Sequence, residues 1–236
     1  MRRRHWPAVL LCLALGAEAR ADEALAARLA SAAPDADRNV IALATRAAEC
    51  AVRQGKLDGF HRLAVIDYSK PSTEPRLWVF DVERGRLLFH ELVAHGRNTG
   101  EQFAARFSNV EGSKMSSLGL FEATDTYYGS NGYSLRLRGL DSGFNDNALS
   151  RAIVMHGAPY VSQAIAERLG RLGRSWGCPA VRQEVARVMI DTLKGGALLF
   201  AYYPDRNWLR GSPMLSCGAA GPSRIASAQA GAGPAG

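Results

Sequence analysis

Along residues 38–54 the apolar positions Val40, Ile41, Ala44, Ala47, Ala48 and Ala51 recur near helical spacing, and Gly55 follows as a stop. Residues 23–33 read as a shorter helix before it. The pattern then changes to short β-rich runs over 63–68, 76–82 and 87–95, with a hairpin turn at Glu83-Arg84-Gly85-Arg86 between the last two. Further strands are predicted over 118–123, 133–138, 153–156 and 198–203, the last stopped by Pro204. Helices are predicted over 161–169 and 184–193, the second closed by Gly195-Gly196. The fold class this predicts is mainly β: a mixed, mostly antiparallel β core with peripheral helices, preceded by a helical N-terminal segment over 22–55. Beyond Pro213 the chain is Gly, Ala, Ser and Pro, with little that could form a core, so 205–236 is expected to be a disordered tail.

The N-terminus changes the picture of where the chain works. Met1-Arg2-Arg3-Arg4-His5 is a basic start, Trp6 to Ala17 is uncharged and largely apolar, and Ala19-Arg20-Ala21 offers small residues at the positions a signal peptidase reads. Residues 1–21 are therefore expected to be a signal peptide, cleaved before Asp22, with delivery to the periplasm or cell envelope. The apolar run is shorter than the ~20 residues a membrane helix needs. Leu11 before Cys12 is not small, which argues against a lipoprotein cysteine.

The net charge of +7 shrinks accordingly: losing four arginines and Glu18 leaves 25 basic against 21 acidic residues, a balance of +4. A mild positive excess suits an anionic surface, and no dense basic run with interleaved aromatics points to nucleic acid. Three cysteines then remain, Cys50, Cys178 and Cys217. In an oxidising compartment an odd count suggests one disulfide and one reactive thiol. Cys178 lies in a motif and the other two do not, so the economical pairing is Cys50–Cys217, with three separate thiols an equal alternative.

Two segments carry candidate chemistry. Ile153-Val-Met-His156-Gly157 reads as a strand ending in His-Gly, and Gly173-Arg174-Ser175-Trp176-Gly177-Cys178-Pro179-Ala180 as a tight polar loop bearing a cysteine. Cysteine nucleophiles act as thiolates, and a neighbouring imidazole is the usual way to obtain one. Amides around Gly177 and Cys178 are candidates for an oxyanion site. Spacing alone does not bring residues 156 and 178 together, and isolated cysteines are more often small buried hydrophobes.

His156-Gly157 followed by Ser175-Trp176-Gly177-Cys178 resembles the signature of the L,D-transpeptidase (YkuD-type) fold. The flanking text resembles the murein L,D-transpeptidase catalytic-domain family: Phe107-Ser-Asn, Met115-Ser-Ser-Leu-Gly, the run 132–140, Phe144-Asn-Asp-Asn-Ala and the run 173–180. The resemblance covers roughly 38–204 and implies a catalytic domain over 56–204. It implies Cys178 as nucleophile and His156 as base. From the residues themselves, Gly177, Ser175 and Gly157 read as oxyanion and loop support, with Ser175 equally a plain turn serine, and Arg174 and Trp176 as candidate substrate contacts, a solvated side chain being the commoner reading of Arg174. The implied chemistry is acyl transfer on peptidoglycan stem peptides. The cysteine attacks the bond after the third stem residue, D-alanine leaves, and the acyl group passes to a neighbouring stem amine. Water as acceptor would make a carboxypeptidase. The chemistry calls for no metal or organic cofactor. Where the broader fold has a second histidine, two residues before the cysteine, this chain has Trp176. One placed imidazole suffices for a thiolate, so Trp176 is expected to wall the cleft.

Other residues are less pointed. Arg136 and Arg138 share one strand face; His90 and His95 read as structural or exposed; Asn145 and Asn147 suit a turn before Ala148. A zinc hydrolase lacks close ligand pairs such as C-x-x-C or H-x-x-x-H. A non-catalytic wall-binding module would use Trp176 and Tyr160.

Overall fold

Asp37 caps the N-terminus of helix α2 (Arg38–Arg53), its carboxylate accepting from the Asn39 amide at 2.7 Å. Val40, Ile41, Ala44, Ala47, Ala48 and Ala51 form its buried face. Covering Val40 and Ile41 contributes about 1.5–3 kcal/mol each, and the alanines let the helix lie close to the sheet. The computed structural model describes residues 23–217, so the expected signal peptide and residues 218–236 lie outside the described residues. A preceding helix, α1 (23–32), adds Leu29 to the same hydrophobic cluster that fills the sheet interior. The N-terminal helices are therefore part of the main core.

Nine strands form one sheet: β1 (Arg62–Asp67), β2 (Leu77–Asp81), β3 (Arg86–Glu91), β4 (Val93–Ala94), β5 (Gly119–Gly129), β6 (Gly132–Gly139), β7 (Val154–Ala158), β8 (Ala180–Arg182) and β9 (Ala197–Tyr202). Their order is β3-β2-β1-β9-β5-β6-β7-β8-β4. The pairings β1–β9 and β7–β8 are parallel and the other six antiparallel, so the mixed, mostly antiparallel expectation holds. The fold is mainly β with few helices, as expected.

The two outermost strands are neighbours in sequence. Only Leu92 separates β3, at one edge, from β4, at the other. One continuous run thus bonds to β2 with its first half and to β8 with its second, so the sheet curls nearly into a closed barrel. Two arginines fasten this seam. Arg182 on β8 forms a bidentate pair with Glu91 at 2.6 and 2.8 Å. Fully buried Arg76 donates through Nε and Nη2 to Val93 O at 3.1 and 3.0 Å.

Helices α3 (Gln163–Leu169) and α4 (Gln183–Leu193) pack outside the sheet, α4 against β7 and β8. The expected tail starts too early at 205. Residues 206–211 form helix α5 (Arg206–Gly211), capped by Asp205, and Trp208 and Met214 are fully buried. Trp208 packs at a tilt against Phe200, ring centroids 5.6 Å apart, and its indole N–H donates to Asp141 Oδ2 at 3.0 Å. One large aromatic with a polar anchor orders a segment whose composition reads as featureless. Cys217 at its end is disulfide-bonded to Cys50 on α2, with Cα atoms 5.5 Å apart, and Cys178 is the free cysteine among the described residues.

Candidate functional site

β7 carries the histidine. It is bonded on one side to β6, with Ser134 opposite His156, and on the other to β8, with Ala180 opposite His156. Gly157 has to be small: a Cβ there would lie 2.8 Å from Ala186 Cβ on α4, so the helix rests directly on the strand. His156 is only 4% exposed. Its Nδ1 lies 3.0 Å from Gly157 O, and a carbonyl only accepts, so Nδ1 carries the proton and the neutral ring keeps Nε2 as its base. Burial pushes the imidazole pKa below its ordinary value, partly offset by the Gly157 carbonyl.

The cysteine loop is built against the segment after β4. Gly96 and Ser175 form a parallel bridge, with Ser175 N donating to His95 O at 3.0 Å and Arg97 N to Ser175 O at 2.8 Å. The Ser175 hydroxyl then closes the turn on itself, donating to Cys178 O at 2.7 Å and accepting from Gly177 N at 3.0 Å. Gly177 has φ +128°, and a Cβ on it would fall 2.7 Å from Met115 O. Only glycine fits there without moving that backbone. The loop delivers Cys178, 9% exposed, onto the start of β7: Sγ lies 3.5 Å from Val154 N and 3.7 Å from Ala152 O. Burial raises the thiol pKa; the Val154 amide and the Arg151 charge oppose it.

The β7–β8 register therefore sets Cys178 and His156 on adjoining strand ends, although no hydrogen bond joins them among the described residues. The other predicted site residues divide. Trp176 is 70% exposed with Lys114 Nζ 4.9 Å from its ring centroid. Arg174 is anchored through Nη1, which bonds Glu101, Arg97 O and Gly100 O and ties the 97–101 loop to the cysteine loop. The Gly177 amide, a candidate for an oxyanion, is committed to Ser175.

Several residues around the cysteine loop carried no functional assignment from the sequence. His95 is buried, with Nδ1 2.8 Å from Arg76 Nη2 and Nε2 3.3 Å from Gly100 O. Burial and then the Arg76 charge hold its pKa down to about 4, so it is a neutral strut under the loop with both ring nitrogens engaged. Tyr68 stands edge-on to His95 at 6.3 Å, its pKa pushed up to about 12 by burial. Ser116 locks the wedge between the two loops, its hydroxyl accepting from Gly96 N and donating to Gly177 O, both at 3.0 Å. Arg151, next to β7, bonds the 108–117 segment through both terminal nitrogens. These residues come from four separate stretches that meet only in the folded chain. Among the described residues no three His, Cys, Asp or Glu side chains gather in a way that could hold a metal ion.

Comparison with curated proteins finds no match. Among solved structures, an L,D-transpeptidase from Mycobacterium smegmatis is similar at 14% identity and TM-score 0.38, over 61% of this chain and 60% of that one. L,D-transpeptidase 3 from Mycobacterium tuberculosis is 16% identical with TM-score 0.36, over 61% of this chain and 62% of that one. An L,D-transpeptidase from Stackebrandtia nassauensis is 13% identical with TM-score 0.37, over 77% of this chain and 90% of that one. The chain thus spans about 60% of the length of the mycobacterial structures. The model of the L,D-transpeptidase catalytic domain matches residues 32–202, a span that takes in α2, the whole sheet and both Cys178 and His156, and the chain belongs to that family.

Proposed function

We propose that the protein is an exported peptidoglycan acyltransferase that uses Cys178 as nucleophile and His156 as base. The observation that carries this reading is the seating of the Cys178 sulfur on the Val154 amide, two residues before His156 on the same strand. His156 has its Nδ1 proton committed to Gly157 O and its Nε2 available, whereas His95 has neither nitrogen to spare. The raised thiol pKa means Cys178 rests as a thiol at neutral pH and is deprotonated as substrate docks. Nε2 takes the thiol proton, and the sulfur attacks the carbonyl of the third stem residue. The tetrahedral intermediate then expels D-alanine, whose amine receives that proton from His156. The thioester is resolved by an amine of a neighbouring stem. Apo catalytic pairs are often too far apart to bond and tighten with substrate, which suits the unbonded pair here.

Ser175, Gly177 and Gly157 serve in this reading as loop and strand supports, and Trp176 with Lys114 forms an exposed wall for the stem. Arg174, anchored through Nη1 to Glu101 and two carbonyls, braces the cysteine loop and is the candidate contact for a stem carboxylate. Export rests on the basic, apolar and Ala-Arg-Ala pattern of residues 1–21. Among the described residues no helix is long and apolar enough to cross a membrane.

The test is incubation of the chain from Asp22 onward with tetrapeptide-stem muropeptides and mass spectrometry of the products. A crosslinked dimer with release of D-alanine is expected. A tripeptide alone reassigns the acceptor to water, and unchanged substrate overturns the reading.

A further inference from the structure

Arg151 sits at the entry to β7, and its guanidinium is fastened at four points. Nη1 donates to Ser108 O at 2.7 Å and to the Ser117 hydroxyl; Nη2 donates to Met115 O at 2.7 Å and to Ser113 Oγ at 3.1 Å. All four acceptors are neutral, and among the described residues no carboxylate pairs with this arginine. Its Nε is buried with no hydrogen-bond partner. A half-buried charge with neutral acceptors and an orphan donor is a costly arrangement, tolerated where something compensates it.

The neighbouring geometry indicates what does. The next residue, Ala152, is held at φ +53°, a left-handed conformation that costs a non-glycine residue free energy and tends to persist at working sites. That strained turn aims the Ala152 carbonyl at Cys178 Sγ, 3.7 Å away. On the other side Met115 O, fixed by Arg151 at 2.7 Å, is the same atom that would collide with a side chain at Gly177. The arginine thus touches both walls of the cysteine's seat, and the adjacent group able to become anionic is the Cys178 thiol. The two act on each other electrostatically, the guanidinium favouring the thiolate and the thiolate favouring the guanidinium.

We propose that Arg151 is a positioning residue for Cys178, clamping the 108–117 segment against the cysteine loop and setting a fixed positive charge beside the sulfur. This rests on the reading of Cys178 as the nucleophile and adds to it the source of thiolate stabilisation, which His156, neutral at rest, does not supply.

The experiment is the pH profile of Cys178 alkylation by iodoacetamide in the chain from Asp22 onward, with the disulfide intact. It needs no stem substrate, so it is read independently of transfer activity. Arg151→Gln should move the alkylation midpoint up by about one pH unit or more, as expected for removing a cation beside an ionising group. That corresponds to roughly tenfold slower alkylation below the midpoint. Arg151→Lys keeps the charge without the fork of bonds and should hold the midpoint near the parent's while lowering the melting temperature. Ser117→Ala trims the clamp alone and should leave the midpoint unchanged. An unchanged midpoint in Arg151→Gln overturns the proposal. If that variant does not fold, a midpoint in Arg151→Lys that rises well above the parent's overturns it instead. A parent that alkylates with an Arg151-dependent midpoint yet leaves muropeptides untouched would sink the proposed function and leave this inference standing.

Discussion

The Cys178 sulfur accepts a hydrogen bond from the backbone amide of Val154 at 3.5 Å, and Val154 lies two residues before His156 on β7. One strand therefore supplies the amide that seats the sulfur and, two residues on, carries the imidazole. Cys178 is positioned by backbone, through the parallel β7–β8 register, and the His156 ring by its neighbour's carbonyl.

Replacing either member separates chemistry from folding. Cys178→Ser should abolish product formation on tetrapeptide stems while the melting temperature stays close to the parent's, because a hydroxyl replaces a thiol of similar size. His156→Ala should cut the rate by about 10²–10⁴-fold. Trp176→His adds an imidazole at an exposed position and should alter the rate far less than the loss of His156. A silent parent rescued by Trp176→His would show that the base has been misassigned. Rates come from mass spectrometry of the crosslinked product.

The pH dependence follows from two opposite shifts. His156, lowered by burial, keeps its basic form to pH values below the ordinary histidine range, so the acid limb of the rate profile should fall below about pH 6.5. The Cys178 thiol, raised by burial, should alkylate without substrate only as pH climbs toward and beyond about 8.5–9. An alkylation midpoint in the acid or neutral range would mean a preformed thiolate–imidazolium pair, contrary to this assignment.

Gly177→Ala should inactivate with little unfolding. The new methyl meets Met115 O at 2.7 Å and the backbone is held at φ +128°, so the loop has to shift. Such strain costs about 1–3 kcal/mol, small against a whole domain yet enough to displace a nucleophile. Calorimetry and alkylation rate together check it; parent-like alkylation and activity would count against this account of the loop.

The C-terminal clasp should be worth measurable stability. Denatured protein from Asp22 onward should show one free thiol, and three after reduction, since Cys50 and Cys217 are bonded. Breaking that bond is expected to cost about 2–4 kcal/mol in denaturant unfolding. Asp141→Ala would leave the buried Trp208 indole N–H and the Ser212 hydroxyl without their acceptor, at about 1–3 kcal/mol. Because burial raises the Asp141 pKa above the carboxyl's ordinary value, the folded state binds its proton more tightly. Its contribution to stability is therefore greatest below the ordinary carboxylate pKa, declines as pH rises through the shifted one, and should vanish from the pH profile of the variant.

Local periodicity was enough to place α2, the first three strands and the helices flanking β8, because a buried helix face or strand leaves its mark within a few residues. His156-Gly157 and Ser175-Trp176-Gly177-Cys178 were legible as a pair of motifs for the same reason: each is a short run whose residue types suit its backbone. The three-residue strand β8 was too short to show a period, and Trp208 was a lone aromatic in a polar stretch, so the order of residues 205–217 was hidden. What only the tertiary structure decided lies in contacts between distant stretches. Leu92 joins the two sheet edges, and that closure lays residues 95–97 beside Ser175; other contacts between distant stretches engage His95 with Arg76 and hold the 108–117 segment on Arg151. The physical reason is that a side chain's charge state and free hydrogen-bonding capacity depend on which groups surround it in space. Residues 76, 95, 116, 151 and 178 are far apart in sequence and meet only in the folded chain.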